Sequence, residues 1–322
     1  MKKALRGGIW LTFALVLFCL VRGAAQTSAD ALSVARAEIA NGDLAKSEVS
    51  LIETIRLHPE LADAHFLLGY VYFREQKAVE SLAQFTVGAK SRRPTVEEFE
   101  TIASDYVLLS DFPDADKWFS EVVAQRPDDA HAWYLLGRTK YKEGLHEQAV
   151  KSFERAIALH LRYVEAEDNL GLSLHALNKP ELAQEAFQKA IDWQGDSPTN
   201  AQPYLNLATL LIERGDTDKA IPLLQKAVTL APENPSIHEE LGRAYSVRKD
   251  LPEAQRELLV AVKLAPDVSA LHYKLGQIYQ KQNMRDLAQQ EFDICTKLNG
   301  ARSSKPTPNP YLPLVSRKAE QH

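Results

Sequence analysis

Apolar side chains recur along this chain in two alternating helical stripes separated by short polar turns. Between Ala130 and Tyr163, the residues Trp133, Leu136, Gly137 and Tyr141 fall on one face of a helix. Glu143-Gly144 closes that helix, and Ala149, Phe153, Ala156 and Ile157 begin a second apolar face. The pattern predicts two antiparallel helices joined by a tight turn.

The same register returns throughout. An aliphatic residue followed by a small one stands at Val34-Ala35, Leu68-Gly69, Ile102-Ala103, Leu136-Gly137, Leu170-Gly171, Leu207-Ala208, Leu241-Gly242 and Leu275-Gly276. Each step is 34 residues, except 37 between Gly171 and Ala208. Twelve places later comes a second small residue, and four further on a bulky apolar one, as in Ser81 and Phe85, Ala149 and Phe153, or Ala254 and Leu258. Small residues at the eighth and twentieth places let the paired helices approach, and the bulky group fills the space beside them. A single hairpin of this kind cannot bury its apolar face alone, so copies stack on their neighbours. Period and pattern resemble the tetratricopeptide repeat, from Ser28 to Arg302. That resemblance implies an all-α, right-handed superhelical solenoid of about eight 34-residue helix-turn-helix repeats, at 28–61, 62–95, 96–129, 130–163, 164–197, 201–234, 235–268 and 269–302. The chain is expected to be an exported bacterial member of that family, on the ground of its N-terminal segment.

Departures from the pattern carry their own expectations. Ala31 and Val34 stand in the first copy where larger groups usually pack. Pro113, Pro180 and Pro252 fall at the start of second helices, where a missing N–H costs little. Pro222 lies deeper and predicts a local kink. The turn-rich Gly195–Asn200 segment should lengthen one loop without breaking the stack.

The ends lie outside the repeat. Lys2, Lys3 and Arg6 precede an apolar run, Ile9 to Val21, and then Gly23-Ala24-Ala25. This is the layout of a signal peptide over 1–25, cleaved after Ala25. The run is shorter than the roughly 20 residues of a membrane span. The expected destination is periplasmic or secreted; an uncleaved segment would instead be an inner-membrane anchor and the chain's membrane link. Residues 26–302 form the array and 303–322 a Pro-rich flexible tail. Within that tail, Tyr311–Val315 either folds back over the last hairpin or meets another surface.

Composition narrows the function. Of 322 residues, 45% are hydrophobic and 25% charged, enough for a sizeable core. Net charge is −5, and losing Lys2, Lys3, Arg6 and Arg22 with residues 1–25 leaves −9, which argues against nucleic acid. After Ala25 one cysteine remains, Cys295, so no intrachain disulfide forms; its place is that of Ala156 and Ala190, a small packing position. No H-E-x-x-H, phosphate loop, G-x-S-x-G or zinc spacing is present. His65, His238 and His272 hold the fourth place of their copies, where Trp133 and Tyr204 stand elsewhere, and are expected to pack within hairpins. No catalytic residue, metal or small-molecule cofactor is expected.

In the family this chain resembles, the second, fifth, ninth, twelfth and thirteenth residues of each first helix line a concave groove. Here the second copy places Asp63, Phe66, Tyr70, Phe73 and Arg74 there, and the third Glu97, Glu100, Ser104, Val107 and Leu108. The fourth places His131, Tyr134, Arg138, Tyr141 and Lys142. Aromatic residues beside arginine are the composition of binding hot spots. The candidate protein-binding groove is therefore Phe66, Tyr70, Phe73, Arg74, Tyr134, Arg138, Tyr141 and Lys142. Some family members grip a C-terminal carboxylate with a fifth-place lysine and a ninth-place asparagine, and neither stands at those places here. The expected function is a non-enzymatic scaffold or adaptor of the bacterial cell envelope that binds a protein or peptide segment. The alternatives are a structural subunit of a polysaccharide-export or secretion assembly, or an accessory subunit of an enzyme on another chain.

Overall fold

The computed structural model describes residues 29–303; the signal segment expected over 1–25 and the tail from 304 lie outside them. The described residues form 16 helices and no strand. They divide into two compact units, one ending at Asn178 and the other starting at Lys179.

The first unit holds α1 (29–40), α2 (Leu44–Leu57), α3 (Ala62–Arg74), α4 (Ala78–Gly88), α5 (Val96–Leu108), α6 (Phe112–Gln125), α7 (Ala130–Glu143), α8 (His146–Leu159) and α9 (Val164–Ala176). Odd and even helices pair as hairpins, α3 on α4, α5 on α6 and α7 on α8, and each even helix also packs on the odd helix that follows. The second unit holds α10 (Pro180–Asp192), α11 (Gln202–Glu213), α12 (Thr217–Leu230), α13 (Pro235–Val247), α14 (Leu251–Leu264), α15 (Ser269–Lys281) and α16 (Arg285–Ser303). It repeats the same pairing in α11 with α12, α13 with α14 and α15 with α16.

Three local contacts explain why the sequence folds this way. First, the eighth-place glycine lies under the bulky side chain of the partner helix. A Cβ on Gly137 would come within 2.7 Å of Phe153, and one on Gly276 within 2.6 Å of Phe292. Second, the fourth-place side chain ties its hairpin to a proline carbonyl six residues earlier. His65 Nε2 meets Pro59 O at 3.0 Å, Trp133 Nε1 meets Pro127 O at 3.0 Å, and His238 and His272 meet Pro232 O and Pro266 O at 2.9 Å. Because a carbonyl only accepts, Nε2 is the donor in each of these imidazole tethers. The other ring nitrogen faces Gln84, Glu257 or Glu291 on the second helix. Third, the fifteenth residue of every copy, between the paired helices, has positive φ. It is Gly42, Gly144 and Gly215 in three copies, but Gln76, Ser110, Asn178, Lys249 and Asn283 in the others.

Several expectations need correcting. Val34 is 53% exposed, and the core of the first copy is carried instead by Leu32, Ala35 and Leu51. Pro222 lies, as the sequence places it, inside the second helix, in the second turn of α12 (Thr217–Leu230). Cys295 is only half-buried, whereas Ala156 and Ala190 are sealed. Among the described residues no further helix covers α16, so Phe292 and Cys295 stay partly open. The inserted loop is held by one side chain: Gln194 Oε1 accepts from the backbone N–H of Thr199 and Asn200, and its Nε2 donates to Asn200 O.

Candidate partner-binding face

On α3, α5 and α7 the helical period sets one stripe apart from the buried face. In α7, Ala132, Leu136, Gly137 and Thr139 are buried, while His131, Arg138 and Lys142 are exposed and Tyr134 and Tyr141 half-buried. In α5 the corresponding stripe is Glu97, Glu100, Ser104, Val107 and Leu108, with Leu108 50% exposed. In α3 it is Asp63, Tyr70, Phe73 and Arg74. α3 packs against α5, and α5 and α7 share one buried core through Phe99, Ile102, Ala103, Ala132 and Leu136, so these stripes are neighbours within the first unit.

Phe66 does not belong to this surface. It is 2% exposed, packs tilted against Phe85 at 5.8 Å between ring centroids, abuts Gly88 and lies 3.9 Å beneath the Arg92 guanidinium. Its role is packing. The fifth place is likewise closed at Leu32 and Leu205.

The other seven candidates fall in two groups. On α3, Tyr70 and Phe73 lie 6.2 Å apart and Arg74 donates to the Tyr70 hydroxyl at 3.2 Å. On α7, Arg138 lies 5.6 Å from the Tyr134 ring, which packs against Phe153 and Tyr163 at 6.1 and 5.1 Å. Tyr141 sits 5.2 Å from His146, and Lys142 beside it is exposed. Burial raises the hydroxyl of Tyr134, and burial together with Tyr134, Glu165 and Asp129 pushes Tyr163 up to about 12. Both hydroxyls are therefore protonated donors at neutral pH. Tyr163 and His131, joined at 3.1 Å, enlarge the aromatic cluster. The helical stripe misses Tyr163, which follows α8 in a loop.

Charge is unequal across the stripe. Near the N-terminal ends of α3 and α5, Arg92 is bonded to Asp63 at 2.8 Å and to both oxygens of Glu98, and Arg126 reaches Glu97, Glu100 and Asp129. Glu98, with Asp63, holds Arg92 more firmly charged than a free guanidinium. These arginines stand 34 residues apart in one register, a signal the first-helix positions alone do not capture. Toward the other ends, Arg74, Arg138 and Lys142 make no ion pair with a carboxylate among the described residues.

The comparisons agree with this architecture. Family models described as tetratricopeptide repeat match 32–93 and 101–160, 162–233, 211–278 and 269–302. The chain belongs to the tetratricopeptide-repeat family. Small glutamine-rich tetratricopeptide repeat-containing protein 2 of Saccharomyces cerevisiae is 34% identical over 107 residues, 33% of this chain and 30% of that protein. The human mitochondrial import receptor subunit TOM70 is 25% identical over 214 residues, 63% of this chain and 35% of that one. The chain spans only 17%, 20% and 30% of the first curated relatives it matches. Among solved structures, a tetratricopeptide repeat protein from Parabacteroides merdae superposes with a TM-score of 0.63 at 17% identity, covering 79% of this chain and 99% of that one. Tetratricopeptide arrays are protein-interaction scaffolds, and the surface their stacked hairpins present is what partners bind. Among the described residues, no group of His, Cys, Asp and Glu could hold a metal ion, and no helix is long and apolar enough to cross a membrane.

Proposed function

We propose that this tetratricopeptide array is a non-enzymatic adaptor that binds a protein segment across the exposed stripe of α3, α5 and α7. The observation that carries the reading is the solvent-facing cluster of aromatic and cationic side chains on α3 and α7, with half-open Val107 and Leu108 between them. Buried aromatic contact supplies affinity in such surfaces, and arginine orients the bound segment. Converting Tyr70, Tyr134 and Arg138 together to alanine should abolish capture of the partner crosslinked to it in its native compartment, while circular dichroism stays helical. Undiminished capture by that variant would sink the reading.

The compartment we propose is the bacterial cell envelope, on the strength of residues 1–25. A mature protein beginning at Gln26 in the periplasmic or secreted fraction is expected. Recovery of the intact chain from the cytoplasm alone would refute export.

One observation favours a second reading, that of a structural subunit. The outer face of α16 leaves Phe292 and Cys295 half-open, where Phe153 and Ala156 are sealed by the next hairpin. Self-association in light scattering, lost on deleting 304–322, would support an assembly role; a monomer favours the adaptor.

A further inference from the structure

The charge imbalance across the stripe bears on what kind of segment would lie there. At the N-terminal ends of α3 and α5, the carboxylates Asp63, Glu97 and Glu100 are already engaged by Arg92 and Arg126. That edge presents little free charge of either sign. Farther along the same helices the picture reverses. Arg74 on α3, and Arg138 and Lys142 on α7, are exposed cations. Two of them meet aromatic side chains: Arg74 donates to the Tyr70 hydroxyl, and Arg138 lies over the Tyr134 ring. The α5 positions between them carry no charge, and Leu108 there is 50% exposed. In the second unit, Lys274 of α15 is paired with Glu239 of α13 and Arg243 with Glu240, while Lys281 donates to Ser246.

We infer that the face takes an acidic segment in which carboxylates flank an apolar centre. The apolar residues would sit on Val107 and Leu108, one carboxylate would face Arg74, and the other would face Arg138 and Lys142. This rests on the adaptor reading and adds the chemistry of its partner. Geometry sets the spacing. Packed helices lie about 8–10 Å apart, so α3 and α7, separated by α5, lie roughly 16–20 Å apart. An extended chain advances about 3.3 Å per residue, so the two acidic positions fall about five or six residues apart. Cations against carboxylates at a partly desolvated surface add specificity and speed of association, and both weaken with salt.

The test is to pan a displayed library of random twelve-residue peptides on the full chain and on the Arg74→Glu/Arg138→Glu/Lys142→Glu variant. All three side chains are exposed, and circular dichroism checks that the variant keeps its helices. The wild-type chain is expected to enrich peptides with Asp or Glu on both sides of an apolar pair, and the variant to lose that preference and favour Lys or Arg. A selected acidic peptide should bind the variant at least tenfold more weakly by fluorescence polarisation. If the wild type selects apolar peptides with no acidic preference, the adaptor reading stands and this inference falls. If the variant enriches the same acidic peptides, the charge is read elsewhere and the inference also falls. If nothing is enriched, both fall together.

Discussion

Burial holds the Asp105 carboxyl at a pKa of about 7, and the contacts around it say in which form it is held. The residue is 0% exposed, one oxygen lies 2.5 Å from Ser81 Oγ, and the other has no partner. Ser81 also reaches Gly69 O at 2.8 Å with its single proton. Both contacts are satisfied at once only when Asp105 is protonated and donates to Ser81. An ionised carboxylate would leave a charge buried beside an unpaired oxygen. Because the folded pKa is raised, the stabilising effect is complete below the unfolded value of 3.8 and is lost as pH rises to about 7. The loss is about 1.4 kcal/mol for each unit crossed. Asp105→Asn should therefore be more stable than the parent at pH 8 and flatten the pH dependence of urea unfolding between pH 4 and 7. A parallel dependence in both proteins would refute the protonated form. This device was not legible in the sequence, where Asp105 is one acidic residue among many. Phe66 shows the converse failure. Periodicity gives the angle of a side chain around its helix but not its depth, and only the contacts of Gly88 and Arg92 close this one over.

At the scale of the element, the hairpin was legible because it rests on a contact with strict requirements. A glycine or alanine at the eighth place and a bulky group at the twenty-fourth recur since one lies directly against the other, as Gly242 lies against Leu258. The turn was less legible. All eight fifteenth-place residues have positive φ, yet Gln76, Ser110 and Lys249 carry no sign of it in their side chains. Left-handed backbone costs an L-residue about 1–2 kcal/mol, partly offset by the greater unfolded-state freedom of glycine. Lys249→Gly should thus stabilise the chain by roughly 0.5–1 kcal/mol. Thermal or urea unfolding measures this, and a loss of stability would show that the Lys249 side chain carries more than its backbone. The reciprocal change, Gly144→Ala, meets no atom within 4 Å and should cost about 1 kcal/mol through backbone strain alone, at φ 87°.

Across the whole molecule, stability comes from neighbours. Each interior second helix is sealed by the first helix of the next copy, as α14 is by α15, whereas α16 packs on α15 and lacks a following hairpin among the described residues. In arrays of this kind, stability is roughly the sum of each copy and its interfaces. Backbone amides of α16 should therefore exchange with solvent faster than those of α14, which hydrogen exchange followed by mass spectrometry would show. Equal protection would mean that another surface covers α16. The proline tethers carry this question into magnetic resonance. Three of the four hold an imidazole N–H in a buried site: His65 in the second copy, His238 in the seventh and His272 in the eighth. These protons should appear as three separate, slowly exchanging ring signals, one per copy. As urea is added, the order in which they vanish would trace the path by which the array comes apart, with the His272 signal the first to go.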